Sequence, residues 1–111
     1  DFDLVRMDWA TDAPVMDGVL FPLFFSGNVS STNVSGYHDE RVDELLAEAR
    51  AELDGTRRIA LLQEADAAIG RDCPVIPLMF QGTPYVGSER IEELPIAPQG
   101  RIDLARAQLA E

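Results

Sequence analysis

The sequence predicts an α/β fold in which a small mixed sheet packs against a helical hairpin. Three observations carry this prediction: an alternating segment at the N-terminus, two amphipathic stretches in the middle, and an apolar run of strand length after them. The chain has 111 residues, of which 46% are hydrophobic, and this is enough for one domain with its own core. We therefore assign residues 1–111 to a single domain.

The N-terminal third is predicted to hold one strand and one short helix. Apolar and polar residues alternate over 2–9, as in a half-buried strand. After a loop that extends to Pro14, apolar residues recur at helical spacing, and Pro22 is expected near the end of that helix. These apolar residues are Met16, Val19, Leu20, Leu23 and Phe24. The segment 26–36 is rich in Ser, Asn and Gly and is predicted to be a surface loop.

Two helices follow, each with a capping residue at its start. Asp39 is a good N-cap for the first helix, and Asp54-Gly55 ends it and caps the second. The expected apolar stripes are Val42, Leu45, Leu46, Ala49 and Leu53 on the first helix, and Ile59, Leu62, Ala65 and Ile69 on the second. Because the connection is so short, the two helices should form an antiparallel hairpin that ends within residues 70–72.

The remaining third is predicted to contribute strands and little else. The run 75–80 has the length and apolar character of a core strand, and Pro77 within it favours an edge or a bulge. Tyr85-Val86 is expected to form a short returning strand. Cys73, the single cysteine, is predicted to be buried and inert. Residues 103–109 have a helix-forming composition.

The charge balance excludes several classes of partner. The formal net charge is -11, and all nine basic residues are arginine. Such a chain is repelled by phosphate backbones and by anionic membrane surfaces, so we expect no nucleic-acid partner. No segment approaches the roughly 20 apolar residues that a membrane helix needs.

The sequence predicts no catalytic residue, metal site or cofactor. His38 is the only histidine, and a surface or capping role is expected for it because no second metal ligand or nucleophile motif accompanies it. A hydrolase built on Asp12 and His38 would need both side chains within hydrogen-bond reach of each other and of a pocket. Arg57 is expected to form structural ion pairs, with Asp54 or Glu52.

The order of several short motifs resembles one protein family. The motifs are Trp9 to Pro14, Phe21 to Phe24, Asn33 to Tyr37, the helical pair with Arg57-Arg58, and Cys73 to Leu78. Together they resemble the C-terminal lobe of extracytoplasmic solute-binding proteins of peptide ABC transporters, the oligopeptide- and dipeptide-binding family. The resemblance covers roughly residues 1–95.

This resemblance implies a fold, a location and partners. The chain would be a fragment of one lobe in a two-lobed periplasmic-binding-protein type II fold. The parent would be extracytoplasmic, in the periplasm or at the cell surface, and lipid-anchored. Its partners would be a peptide ligand and the permease subunits of the transporter. An excised lobe also exposes apolar surface, which favours self-association of the fragment.

The resemblance places two ligand-binding residues, Trp9 and Asp12, at the lip of the peptide groove. In the family the Asp at this position accepts the α-ammonium group of the peptide, and the Trp forms a flat wall. The residue types alone leave another interpretation open, in which Trp9 belongs to the core and Asp12 caps the short helix. The chain departs from the family pattern at five positions, Ala13, Val15, Met16, Gly18 and Val19. An acidic and an aromatic residue of the family loop are therefore missing, so the resemblance does not imply a particular ligand preference.

Other functions remain open at this point. The chain could be the ligand-sensing domain of a regulator or chemoreceptor with the same fold. It could also be an acidic protein-interaction module, for which Asp12 would be dispensable. A receptor for another solute, such as a metal chelate or an oligosaccharide, is a further alternative.

Overall fold

The computed structural model describes residues 4–11, 15–80, 82–98 and 100–110. The chain divides into two compact units, Asp1–Ile76 and Pro77–Glu111. Each unit is described by itself below. The assignment of residues 1–111 to a single domain stays a prediction.

The first helix, α1, spans Asp17–Phe24 and contains Pro22, as the sequence predicts. Its last carbonyl groups bond to side chains of the loop that follows. The Asn28 amide Nδ2 donates to the Phe21 carbonyl at 2.9 Å, and the Thr32 hydroxyl donates to the Pro22 carbonyl at 2.5 Å. The loop therefore supplies a donor for the Pro22 carbonyl and a second one for the Phe21 carbonyl, which also accepts from the Phe25 amide at 3.2 Å.

The helical hairpin begins where the capping residues predict. Helix α2 spans Glu40–Ala51, and helix α3 spans Gly55–Asp72. The Asp39 carboxylate accepts from the Val42 amide at 2.8 Å, and the Asp54 carboxylate accepts from the Arg57 amide at 2.7 Å. Both predicted N-caps are confirmed.

Ion pairs between α2 and α3 show that the helices are antiparallel. Arg57 lies in the first turn of α3 and contacts Glu48, near the end of α2, at 2.8 Å. Further from the connection, Arg41 at the start of α2 contacts Glu64 at 2.9 Å. The pairs join residues at matching distances from the connection, as an antiparallel hairpin requires.

The core lies among the three helices. It consists of nine buried apolar residues: Leu20, Phe24, Val42, Leu45, Leu46, Ala49, Leu62, Ala65 and Ile69. The stripes predicted for α2 and α3 supply seven of these, but Leu53 and Ile59 are exposed, Leu53 to 97%. Leu53 is exposed because α2 ends at Ala51, so Leu53 lies in the connection beyond the last turn.

The polar loop 26–36 is more ordered than the prediction of a surface loop implies. Asn33 within it is buried, and its side chain is fully used. Its Nδ2 donates to the carbonyls of Tyr37 at 2.9 Å and Phe25 at 3.3 Å. Its Oδ1 accepts from the Ser35 hydroxyl at 3.0 Å and from the Tyr37 amide at 3.2 Å. Asn33 therefore fixes the path of the loop from α1 to α2.

Two predicted strands are absent from the described residues. Residues 4–10 and 75–80 carry no regular secondary structure, and the apolar side chains of 75–80 are exposed, Phe80 to 107%. The strand and core prediction for 75–80 is therefore wrong for this chain. The physical reason is that a strand exists only beside a partner strand, and the described part of the chain sets no backbone ladder alongside either segment.

Cys73 follows α3 directly and is exposed, not buried as predicted. It ends the helix in the left-handed conformation, with φ of 50°, and its amide donates to the Ile69 carbonyl at 2.8 Å. This is the position at which glycine most often ends a helix, so the residue turns the chain outward instead of entering the core.

The second unit holds the only regular sheet among the described residues. Strand β1, Ile91–Glu93, pairs antiparallel with strand β2, Gln108–Leu109, and the register is irregular between the two paired positions. The sheet is thus antiparallel, whereas a mixed sheet was predicted. Residues 103–109 form a short 3₁₀ turn at Leu104–Arg106 and then β2, where a helix-forming composition was noted.

The second unit contains a tight turn that ends at Gly100. The Gly100 amide donates to the Ala97 carbonyl at 2.8 Å, and Gly100 has φ of 78°, a conformation that favours glycine. The Tyr85 hydroxyl donates to the Gly100 carbonyl. Tyr85 lies in a segment without regular secondary structure and not in the predicted returning strand.

Candidate functional site

Trp9, the first predicted ligand-binding residue, is half-exposed and anchored by its indole nitrogen. The Nε1–H donates to the carbonyl of Gly18 in the first turn of α1, at 2.8 Å. The side chain is 39% exposed, so it is not a core residue. The indole therefore lies across the N-terminal end of α1, with part of its ring surface open to solvent.

Gly18 allows the segment that contains Trp9 to approach the helix closely. A Cβ atom at this position would lie 3.1 Å from the Thr11 Cγ2 atom. This spacing is tighter than ordinary van der Waals contact, so the absence of a side chain at Gly18 helps Thr11 and Trp9 to pack against α1.

Asp12, the second predicted ligand-binding residue, lies outside the described residues. Its geometry relative to Trp9 and His38 stays a prediction. Ammonium binding by Asp12 stays a prediction, whereas the N-cap position of α1 is Met16 and not Asp12. His38 itself is exposed, as the expected surface role requires.

A groove beside the Trp9 anchor was not predicted. It has a volume of about 480 Å³ and lies between the start of α1, the end of α2 and the start of α3. Its lining is mainly apolar and consists of Val15, Met16, Ala49, Gly55, Ile59 and Leu62, with Asp17, Arg50 and Arg58 as charged members. Leu62 and Ala49 are buried and form its floor, whereas Val15, Met16 and Ile59 are exposed.

The three charged side chains of the groove do not neutralise one another completely. The Arg50 Nε lies 3.5 Å from the Asp17 Oδ2, and the Arg50 guanidinium lies over the Phe21 ring at 3.9 Å from its centroid. The Asp17 Oδ1 is buried and has no hydrogen-bond donor in the described part of the chain. Within the same part, Arg58 forms no ion pair. One positive charge at the groove is therefore left over.

Arg57, the neighbour of Arg58, serves the hairpin and not the groove. Its guanidinium contacts Glu48 and Glu52, each at 2.8 Å, which confirms the expected structural ion pair with Glu52. The hydrogen bond to Glu48 and the negative charges of both glutamates raise the pKa of Arg57. These contacts lie at the surface and stabilise the connection between α2 and α3 only modestly.

Sequence reasoning missed the groove because its residues were assigned to apolar helix faces. Met16 and Ile59 fit the helical periodicity of a core, and periodicity does not show which core positions lack a covering element. A signal was nevertheless present. Met16 and Ile59 are the first residues of their stripes, and such end positions have fewer neighbours on the same helix face than central ones.

The described residues show no feature of a metal site or a membrane span. They contain no group of three or more His, Cys, Asp or Glu side chains placed to hold a metal ion. None of their helices combines the length and the apolar character that crossing a bilayer requires.

Comparison with known proteins identifies related binding proteins. No family model matches the chain. The chain is 30% identical over 81 residues to the "Dipeptide-binding protein DppE" of Bacillus subtilis, and this match covers 73% of the chain and 14% of the relative. It is 35% identical over 92 residues to the "Probable deoxycholate-binding periplasmic protein YgiS" of Escherichia coli, covering 78% of the chain and 17% of the relative.

A third relative extends the match along almost the whole chain. The "Peptide transport periplasmic protein SapA" of Haemophilus influenzae is 24% identical over 106 residues, which cover 95% of the chain and 19% of the relative. The chain thus spans less than a fifth of the length of each of these relatives. All three are binding or transport proteins, and two are named as periplasmic. The chain belongs to the family of extracytoplasmic solute-binding proteins of peptide ABC transporters, of which it represents a part.

Proposed function

We propose that the protein captures peptides outside the cytoplasm and delivers them to an ABC importer. The observation that carries this proposal is the likeness to binding proteins, two of which are named for a dipeptide or for peptide transport. One relative is named for deoxycholate, so the ligand is chosen on the peptide-named relatives and on the chemistry of Trp9 and Asp12. Capture requires no chemical step, and we propose no enzymatic activity.

The proposed architecture is one lobe of a two-lobed type II binding protein. The hairpin of α2 and α3 with α1 would form part of the lobe, and the rest of the protein would complete the sheet. Ligand enters an open cleft and makes contacts with both lobes only when they close, so these contacts drive closure. The closed form then docks on the permease subunits.

Trp9 and Asp12 have distinct proposed roles in the cleft. The Asp12 carboxylate accepts a charge-assisted hydrogen bond from the α-ammonium group of the peptide. Trp9 presents the open part of its indole ring to the peptide, and the bond from Nε1 to the Gly18 carbonyl at 2.8 Å holds the ring in place. Such a site suits a receptor for many peptides because it recognises the shared end of the ligand and a flat apolar contact.

The test is calorimetric titration of the full-length receptor with a tripeptide and with the same tripeptide acetylated at its N-terminus. The variant Asp12→Ala should weaken binding of the free tripeptide by about 1.5 kcal/mol or more, because a charge-assisted hydrogen bond is lost. The acetylated peptide should bind the wild type and the variant equally. Asp66→Ala is the matched control, since Asp66 is an exposed carboxylate on α3.

Each other outcome removes a defined part of the proposal. Tight binding that ignores Asp12→Ala would remove Asp12 from the site and leave the receptor function. If no peptide binds and deoxycholate does, peptide capture is excluded and a solute receptor remains. If neither binds, the sensing and protein-interaction functions become the ones to examine.

A further inference from the structure

The groove between α1, α2 and α3 has the general properties of a small-molecule site, and Trp9 is not one of its lining residues. Its volume of about 480 Å³ falls within the roughly 300–1,000 Å³ that ligand pockets usually occupy. Buried Leu62 and Ala49 give it a fixed floor, and exposed Met16 and Ile59 give it apolar walls. Leaving such walls in water is unfavourable, so the surface gains free energy when an apolar group covers it.

The charged side chains of the groove determine which charge a bound apolar ligand should carry. Asp17 and Arg50 largely compensate each other, with the Asp17 Oδ2 and the Arg50 Nε 3.5 Å apart. The Arg50 guanidinium is also occupied by the Phe21 ring, at 3.9 Å. Arg58, by contrast, has no carboxylate partner in the described segments of the chain. The net charge at the groove is positive although the chain carries a formal charge of -11.

We propose that this groove binds an amphipathic carboxylate, with its apolar body against Met16, Ile59 and Leu62 and its carboxylate on Arg58. A guanidinium is well suited to a carboxylate because its planar fork donates two parallel hydrogen bonds. The thioether of Met16 adapts to apolar bodies of different shape. A free ammonium group finds no unpaired carboxylate exposed in the groove, since the uncompensated Asp17 Oδ1 is buried. The site therefore discriminates against amphipathic cations.

The probe is decanoate, titrated below its micelle concentration into this chain labelled with ¹³C at the methionine methyl groups. The chain has three methionines, which gives three reporters. Met16 lines the groove, whereas Met7 and Met79 do not. Met79 is more exposed than Met16 and so reports non-specific adsorption of the probe. The expected result is a saturable shift of the Met16 signal with the Met79 signal unchanged, and no such shift with decylamine.

Two charge variants test the role of Arg58. Arg58→Gln should weaken decanoate binding about five-fold, as expected for an exposed ion pair of up to about 1 kcal/mol. Arg71→Gln, which removes the same charge from an exposed position at the other end of α3, should leave the affinity unchanged. Calorimetry with the full-length receptor should give the same ratio between the two variants.

Several results would overturn the proposal. Equal shifts at Met16 and Met79 would contradict it, and so would equal weakening of decanoate binding by both arginine variants. A Met16 signal that changes with protein concentration alone would also contradict it, because a second copy would then cover the groove. Absence of decanoate binding in the full-length receptor would mean that the rest of the protein fills it. The inference does not depend on peptide capture, because it is tested with decanoate at Met16 and Arg58, whereas peptide capture is tested with a tripeptide at Asp12.

Discussion

The two compact units of the chain are stabilised by different interactions. In Asp1–Ile76, nine apolar side chains between Leu20 and Ile69 are buried against one another. In Pro77–Glu111, no described residue is buried, and a few backbone hydrogen bonds, a short irregular ladder and the Tyr85–Gly100 contact hold the chain together. Since apolar burial is the main source of folding free energy, the first unit should be stable and the second should open readily.

The largest expected effect breaks the core of the first unit. Leu46 is fully buried, so Leu46→Ala should lower the free energy of unfolding by about 2–5 kcal/mol through lost burial and a cavity. Urea unfolding followed by circular dichroism measures this change. Leu78→Ala in the second unit removes the same atoms from an exposed side chain and should cost less than about 0.5 kcal/mol. Similar losses of unfolding free energy in Leu46→Ala and Leu78→Ala would show that apolar burial does not stabilise the first unit more than the second.

A second substitution tests whether the first unit also depends on a polar anchor. Asn33→Ala removes four hydrogen bonds and takes from the Tyr37 carbonyl its Asn33 donor, which should cost about 2–3 kcal/mol. The Tyr37 amide keeps a hydrogen bond to the Ser35 hydroxyl at 3.3 Å. Asn28→Ala is the matched control, because Asn28 makes one short bond, at 2.9 Å to the Phe21 carbonyl, and should cost about 1 kcal/mol. If Asn33→Ala is no worse than Asn28→Ala in the same urea experiment, the loop is not held by Asn33.

A third substitution acts on the second unit alone. Gly100→Ala forces a side chain into a conformation with φ of 78°, and its Cβ would lie 2.7 Å from the Tyr85 hydroxyl. Local opening of this unit should become easier by about 1–2 kcal/mol. The free energy of this local opening is measured by amide hydrogen exchange at Asp103. The Asp103 amide donates to the Pro95 carbonyl at 2.9 Å.

The independence of the two units decides how this third result is interpreted. The urea midpoint of the helical unit should not move in Gly100→Ala. Gly82→Ala is the control, because a new Cβ there has no atom within 4 Å. It should change neither the hydrogen exchange at Asp103 nor the urea midpoint. A lower urea midpoint in Gly100→Ala would mean that the helices depend on the second unit.

The smallest expected effect concerns pH and the first unit only. Burial and the hydrogen bond from the Tyr37 hydroxyl to Asp72, at 2.7 Å, raise the pKa of Tyr37 above its ordinary value of 10.0. The folded state therefore keeps a proton that the unfolded state loses. The stabilisation is complete below pH 10 and is lost as the pH rises from there towards the raised pKa.

The variant Tyr37→Phe isolates this contribution. Removing the hydroxyl should cost less than about 1 kcal/mol at pH 7, because the group is partly exposed. It should also flatten the fall in stability above pH 10, measured by urea unfolding of the helical unit. A fall of the same steepness in the variant would assign the pH dependence to other groups.

The helical part of the fold was predictable because helices are specified by nearby residues. Asp39 and Asp54 mark the starts of α2 and α3, and stripes at a 3.6-residue period mark their buried faces. Leu53 was misplaced by less than one turn, since a helix boundary depends on its cap and not on the stripe alone. Arg57 was expected to pair with Asp54 or Glu52 through its match to an arginine of the family, and the structure pairs it with Glu52.

The strands were not predictable because pairing joins residues that are distant in sequence. Residues 75–80 have strand composition and no described partner, whereas Gln108 and Leu109 form β2 because Ile91 and Glu93 lie beside them. Asn33 gave no local sign of burial, since composition alone describes its loop as polar. For the candidate site, Trp9 was identified through family resemblance, whereas the groove at Met16 and Ile59 appears only when three helices are brought together.

The exposed cysteine at the end of α3 has a practical consequence for the biochemistry of this protein. The chain contains a single thiol, Cys73, and it is accessible. These 111 residues contain no second cysteine, so under oxidising conditions two copies can join through one intermolecular disulfide. Sedimentation experiments without reductant will therefore count covalent dimers together with any non-covalent assembly. The same thiol accepts one maleimide dye per chain, which gives uniform labelling without mutagenesis.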